Sequence, residues 1–110
     1  MKLPNPESAV VDIAKLRDYC LNLLHPRGRH KARVFASALG LSSDDAEFLR
    51  TILFRAVRTS EAILADSDEY GQRYTLDFHM SGPKGEGIIR SSWIVLKGEG
   101  HPRFLSCYVL

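Results

Sequence analysis

The residues best suited to chemistry lie together in the segment His25–Arg33. These nine residues include two histidines, one lysine and three arginines, and none of them is acidic. Histidine donates or accepts a proton near neutral pH, and lysine and arginine stabilise the charge of a phosphate. The segment therefore indicates a site for a phosphate-containing ligand, and the alternative is a basic loop that only faces solvent.

The last strand of the chain supplies a second set of polar side chains. Alternate residues of a strand share a face, which places Ser106 and Tyr108 together. The same alternation places Phe104 with them and puts Leu105, Cys107 and Val109 on the opposite face. Small hydroxyl residues are also expected in the middle of another strand, at Ser91 and Ser92, where they are typical of a place that a ligand or another backbone approaches.

Combined, these groups have the composition of a site that cleaves RNA by attack of the 2′-hydroxyl on the phosphodiester. The candidate catalytic residues are His25, His30, Lys31, Ser106 and Tyr108. The candidate phosphate-binding residues are Arg27, Arg29, Arg33 and Ser92. No metal or cofactor is predicted, because the histidines and cysteines do not have the spacing of a ligand set.

The same residues suit two other classes of function. A basic rim can bind an anionic partner without catalysis, either nucleic acid or an acidic protein. A structural or accessory role, for example as the partner of a toxin, is the third interpretation. The residues leave these alternatives open, and they do not indicate which histidine would be the acid and which the base.

Composition predicts one domain over residues 1–110. A chain of 110 residues with 45% hydrophobic residues can bury a core without metal or disulfide links. The start of the chain has no apolar run that is typical of a signal peptide or a membrane helix, which predicts a cytoplasmic protein. Cys20 and Cys107 are far apart in the sequence and are expected to be reduced thiols.

A helical half is predicted over about residues 9–59. Asp12 is a suitable cap for a first helix over residues 13–21, and a second helix is expected over about residues 29–39, with Gly40 at its end. Ser42 or Ser43 can cap a third helix, whose apolar stripe is Phe48, Leu49, Ile52, Leu53 and Ala56.

A sheet half is predicted over about residues 60–110. Alternating patterns indicate strands over residues 61–66, 72–80, 86–97 and 103–110, joined by turn-forming clusters. In the second strand, Tyr74, Leu76, Phe78 and Met80 are expected to face the core. The predicted fold class is therefore α+β, with three N-terminal helices packed on a four-stranded antiparallel sheet.

Four stretches resemble one protein family along nearly the whole chain. They are KLRDYCLN, HPRGRHKARVFASALGL, SSWIVLKGE and PRFLSCYVL, and they are similar to the uncharacterised bacterial domain family numbered 6883. The matching positions are His25, Pro26, Gly28, Lys31, Ala32, Phe35, Pro102, Leu105 and Tyr108.

That family is in turn distantly similar to toxin ribonuclease domains of the group that contains barnase, EndoU, RelE and the colicin ribonucleases. The resemblance implies helices packed on a curved antiparallel sheet, with an active site on the face of the sheet. It also implies that the helical half supplies Lys31 and a histidine to the active site, and that the sheet supplies Tyr108 together with Ser92 or Ser106. RNA and a cognate immunity or antitoxin protein are the partners that it implies.

Overall fold

The structure is a computed structural model that describes residues 1–110. Helix α1 consists of a single turn, Ile13–Lys15, that continues as the π-helical turn Leu16–Cys20. Helix α2 consists of Arg29–Val34 and continues as the π-helical turn Phe35–Leu39. Helix α3 is Ala46–Thr59, preceded by the 3₁₀ turn Ser43–Asp45. The predicted order of three helices followed by strands is confirmed.

Four strands form one antiparallel sheet in the order β1-β2-β3-β4. Their bounds are Ala62–Ser67 for β1, Gly71–Gly82 for β2, Gly85–Leu96 for β3 and Arg103–Val109 for β4. Every strand therefore pairs with its neighbour in sequence, and the helices cover one face of this meander. The predicted α+β class is confirmed.

Local signals in the sequence account for where the helices begin and end. The Asp12 carboxylate accepts a hydrogen bond from the Ala14 N–H at 3.0 Å, which caps α1. Gly40 ends α2 in the left-handed conformation at φ +74°. Ser42 and Asp45 form a reciprocal capping box before α3.

The core lies between the helices and the inner face of the sheet. Its largest fully buried side chains include Trp93, Phe35 and Phe104. The inward residues expected in β2, which are Tyr74, Leu76, Phe78 and Met80, are all buried. Phe48 was expected in the stripe of α3 but is 45% exposed, and Val57 is buried instead, because the buried face of α3 turns away from Phe48.

The hairpin between β2 and β3 fixes the C-terminal end of α2. The Lys84 N–H donates a hydrogen bond to the Leu39 carbonyl at 3.2 Å. A Cβ atom on Gly82 would lie only 2.2 Å from that carbonyl oxygen, so only glycine allows this approach. The contact anchors α2 on the sheet and so determines where the basic residues at its start lie.

Strand β4 does not keep the simple alternation expected for it. Ser92 pairs with Ser106, but the next residue of β3, Trp93, pairs with Phe104, so Leu105 forms a bulge. Phe104 therefore faces the core together with Cys107, and both are buried. The expectation that Phe104 shares a face with Ser106 and Tyr108 was wrong.

Candidate functional site

The face of the sheet opposite the helices, which we call the outer face, carries two rows of polar side chains. One row crosses three strands through the paired hydroxyl residues Thr75, Ser92 and Ser106. The adjacent row is Asp77, Arg90 and Tyr108, which are paired in the same way. All six side chains are partly exposed, so the outer face presents hydroxyl and charged groups to solvent.

Arg90 is held in the centre of its row by two contacts. Its Nε and Nη2 atoms donate to the two Asp77 carboxylate oxygens at 2.9 and 2.8 Å, a bidentate pair. The hydrogen bonds that Arg90 donates to Asp77 and the negative charge of that carboxylate, together with a smaller contribution from Tyr108, raise the pKa of Arg90 above its ordinary value. Arg90 is thus a cation fixed in β3 directly opposite Tyr108 of β4.

Lys31 reaches the same tyrosine from helix α2. Its Nζ atom lies 4.8 Å from the centroid of the Tyr108 ring, within the range of a cation–π contact. Tyr108 therefore has Lys31 over its ring and Arg90 as its cross-strand partner. This contact brings the basic start of α2 and the closing strand into one site.

A cavity of about 410 Å³ adjoins these residues at the edge of β4. It is lined by Lys15, Tyr19, Lys31, Leu105 and Ser106. Two of the residues predicted from the sequence, Lys31 and Ser106, therefore face the same concave space. A cavity with two ammonium groups and a hydroxyl in its wall has the chemistry to accept a phosphate.

The basic residues at the start of α2 are free to bind an anion. Arg27, Arg29, His30 and Arg33 are exposed, and none of them forms an ion pair. By contrast, the following five arginines are each paired with a carboxylate: Arg17, Arg50, Arg73, Arg90 and Arg103. The segment that the sequence singled out is therefore an unneutralised cationic surface next to Lys31.

His25 has a structural role in the loop before α2. Its Nδ1 atom accepts hydrogen bonds from the backbone N–H groups of Arg27 and Gly28, both at 3.0 Å. Its ring also packs edge-on against Tyr19, with the centroids 4.7 Å apart. Because Nδ1 is used as an acceptor, the proton of the neutral ring resides on Nε2. His25 therefore shapes the loop and borders the cavity through Tyr19.

Two residues of the outer face, Asp77 and Arg90, were not among the candidate site residues. Arg90 follows two isoleucines in β3, and a charged residue in the middle of an apolar strand is a signal that points to the exposed face. The sequence could not show that Arg90 is opposite Tyr108, since that pairing depends on the register of β3 and β4.

The two cysteines, which are far apart in sequence, meet beside this site. Cys20 Sγ lies 3.8 Å from Ser106 Oγ, and both cysteines are buried free thiols. A hydrogen bond from the Cys107 thiol lowers the pKa of Cys20 to about 7, against the opposing effect of burial. The same interaction and burial raise the pKa of Cys107.

Because the pKa of Cys20 is lowered, we expect the stability of the folded protein to depend on pH. Between pH 7 and about pH 9 the folded protein has lost a proton that the unfolded chain still holds, so the free energy of unfolding rises with pH. We expect a rise of about 1–2 kcal/mol over this interval, measured by urea unfolding. This stabilisation is lost as the pH falls through 7. In Cys20→Ala the rise should be absent, and an equal rise in that variant would refute the assignment.

No group of three or more histidine, cysteine, aspartate or glutamate side chains is arranged to hold a metal ion. No helix combines the length and the apolar character that are needed to span a membrane.

One protein family matches this chain over almost its whole length. The model of a family described as a domain of unknown function, DUF6883, matches residues 2–110. The chain belongs to this family. That is the family expected from the sequence, so the resemblance is confirmed. No curated protein and no solved structure matches, and the further similarity to toxin ribonucleases is not shown by these comparisons. The description of this family states no activity.

Proposed function

We propose that this DUF6883 domain binds RNA at the outer face of its sheet and cleaves it as an endoribonuclease of the toxin type. The observation that carries the proposal is Tyr108, with Lys31 over its ring and Arg90 as its cross-strand partner. A phosphodiester placed against these residues would meet two cations and a hydroxyl that can donate or accept a proton.

In the proposed reaction, the 2′-oxygen of a ribose attacks the adjacent phosphorus. The bond from phosphorus to the 2′-oxygen forms, and the bond from phosphorus to the 5′-oxygen of the next nucleotide breaks. The base takes the proton of the 2′-hydroxyl, and the acid gives a proton to the leaving 5′-oxygen. The products are a 2′,3′-cyclic phosphate and a 5′-hydroxyl end.

Helix α2 and the sheet each supply residues for this reaction. Lys31 and Arg90 stabilise the charge that develops on the phosphate oxygens, and Tyr108 is the proton-transfer group between them. His30 is adjacent to Lys31 in α2 and exposed, and it is our candidate for the second proton-transfer group. Ser92 and Ser106 hold the phosphate in place by hydrogen bonds from their hydroxyls.

The unpaired arginines supply the sequence-independent part of RNA binding. Arg27, Arg29 and Arg33 are exposed on the same segment as Lys31, so a strand of RNA that crosses the outer face can continue along α2. If each arginine neutralises one phosphate of a single strand, the logarithm of the affinity should fall with the logarithm of salt concentration with a slope of about −2.

One observation favours a second candidate function, the binding of an anionic partner without catalysis. No hydrogen bond joins any histidine to Ser106 or Tyr108, and His25 is committed to its own loop. The cationic surface by itself would then bind nucleic acid or an acidic protein such as a cognate antitoxin. This alternative predicts salt-sensitive binding and no cleavage.

Lys31→Ala provides the test of the proposed activity. We expect the unaltered protein to cleave total RNA in the presence of a chelator, and the variant to do so about 10- to 100-fold more slowly, because one of the two cations at the phosphate is lost. The measurement is the initial rate on a fluorescent RNA oligonucleotide, with the ends of the products analysed by mass spectrometry.

Lys97→Ala is the matched control, since Lys97 is an exposed lysine in the loop after β3 and forms no ion pair. It should cleave at the rate of the unaltered protein. RNA that remains intact at micromolar protein, while it binds with the expected dependence on salt, would overturn catalysis in favour of the second candidate. Equal losses in Lys31→Ala and Lys97→Ala would overturn the site.

A further inference from the structure

Strand β2 has an open edge on the side away from the outer-face site. Its pairing with β1 ends where Ala62 meets Leu76, although β2 continues to Gly82. Residues 77–81 are therefore paired with β3 on one side only. A free strand edge of this length presents backbone donors and acceptors that another extended chain can use.

The register shows which backbone groups point outward at this edge. Gly82 and Gly85 form the last pair of the tight hairpin. From this pair onward, the backbone N–H and C=O groups of successive β2 residues point alternately towards β3 and away from it. The Ala62 N–H bonds to the Met1 carbonyl rather than to β2, which agrees with the same alternation. The N–H and C=O groups of Asp77, His79 and Ser81 consequently point away from β3, and none of the backbone hydrogen bonds that lie outside the helices and strands uses them.

Helix α3 runs beside this edge and makes it one wall of a groove. The groove has a volume of about 380 Å³. Apolar side chains of α3 and of β2 form its floor, and they are Ile52, Ala56, Phe78 and Met80. A groove between a helix and a free strand edge is the arrangement in which peptides bind by strand addition, with main-chain hydrogen bonds for affinity and pockets for alternate side chains.

The charge of the groove indicates which kind of strand it fits. Arg55 lies in its wall, is exposed and forms no ion pair, and no aspartate or glutamate lines the groove. His79 is also in the wall, and its Nε2 atom lies 3.2 Å from Glu86 Oε1. A second copy of this chain would bring the same Arg55 and His79 to the interface, whereas an acidic strand would neutralise Arg55.

We propose that the groove binds an extended acidic segment of another protein, which adds as a strand beside residues 77–81 of β2. Its backbone pairs with His79 and Ser81, its apolar side chains alternate onto Phe78 and Met80, and a carboxylate pairs with Arg55. None of the residues that line the groove belongs to the proposed RNA site, so binding in the groove does not depend on the proposed function.

The test uses a fluorescein-labelled peptide of seven residues in which valine and glutamate alternate, with blocked ends. The comparison peptide has lysine in place of glutamate. We expect the acidic peptide to bind at least about tenfold more tightly, measured by fluorescence anisotropy. In ¹⁵N-labelled protein, the amide signals that shift should belong to residues 77–81 and to the adjacent face of α3.

Two pairs of variants distinguish the groove from other positive surfaces. Ser81→Pro removes one outward N–H and should weaken binding about tenfold, whereas Ser81→Ala keeps that N–H and should bind normally. Arg55→Ala should weaken binding of the acidic peptide about fivefold. Arg58→Ala should not, because Arg58 is an exposed and unpaired arginine of the same helix outside the groove.

Several results would overturn the proposal. They are equal binding of the two peptides, no binding of either, or shifts centred on the basic start of α2. A dimer of the protein that Ser81→Pro abolishes would also overturn it, because the occupant would then be a second copy. If Ser81→Pro does not fold, the amide shifts of the unaltered protein and the Arg55 and Arg58 variants still decide.

Discussion

Arg90→Ala is expected to reduce RNA cleavage by about 100- to 1,000-fold, the loss that is typical when one fixed donor to a developing negative charge is removed. Arg90 is already oriented by two hydrogen bonds to Asp77, so it needs no reorganisation when a phosphate arrives. The measurement is the single-turnover rate on an RNA oligonucleotide. The affinity for a DNA strand of the same sequence, which has no 2′-hydroxyl, should fall far less.

Arg73→Ala is the matched control for this experiment. Arg73 also lies on the outer face and is paired with a carboxylate, Asp68, at 2.6 Å, but its row does not include Tyr108. It should retain nearly the full rate of cleavage. If Arg90→Ala keeps the rate of the unaltered protein, the outer face is not the catalytic surface, and the proposed function would have to be withdrawn.

Phe35→Ala should lower the free energy of unfolding by about 3–5 kcal/mol. The Phe35 side chain is 0% exposed and lies in the middle of the core, at the start of the π-helical turn of α2. Its loss would leave a cavity beneath the helix that carries Lys31. The measurement is urea unfolding followed by circular dichroism, and cleavage by the folded fraction should fall as well.

Phe48→Ala serves as the comparison, because Phe48 is also a helical phenylalanine but is 45% exposed. We expect a loss of less than about 1 kcal/mol in this variant. Similar losses in both variants would contradict the assignment of Phe35 to the core and of Phe48 to the surface.

Most of the fold was predictable because its signals are local. Asp12, Gly40 and Ser42 determine helix ends through contacts within a few residues, and the period of two in β2 identifies its buried face. The short turns between strands leave a meander as the simplest order. These features require no knowledge of which distant residues meet.

The site was only partly predictable because it depends on distant contacts. Lys31 and Tyr108 were singled out by residue type, but their contact at 4.8 Å depends on how α2 lies against β4. The meeting of Cys20 with Cys107 depends on the same packing. His25 was interpreted as a proton-transfer group, and its hydrogen bonds to Arg27 and Gly28 show why a His-Pro-x-Gly turn favours histidine for structural reasons.

The bulge at Leu105 also constrains how this family can change in length. Because one extra residue in β4 reverses the alternation, the strand places Phe104 and Cys107 inside while Ser106 and Tyr108 remain outside. Deletion of Leu105 would make Phe104 and Ser106 neighbours and restore a plain alternation, with Phe104 and Cys107 still inside and Ser106 and Tyr108 still outside. A change of one residue in the length of β4 is therefore expected at this bulge, whereas a single insertion elsewhere in the strand would move the residues on one side of it to the wrong face.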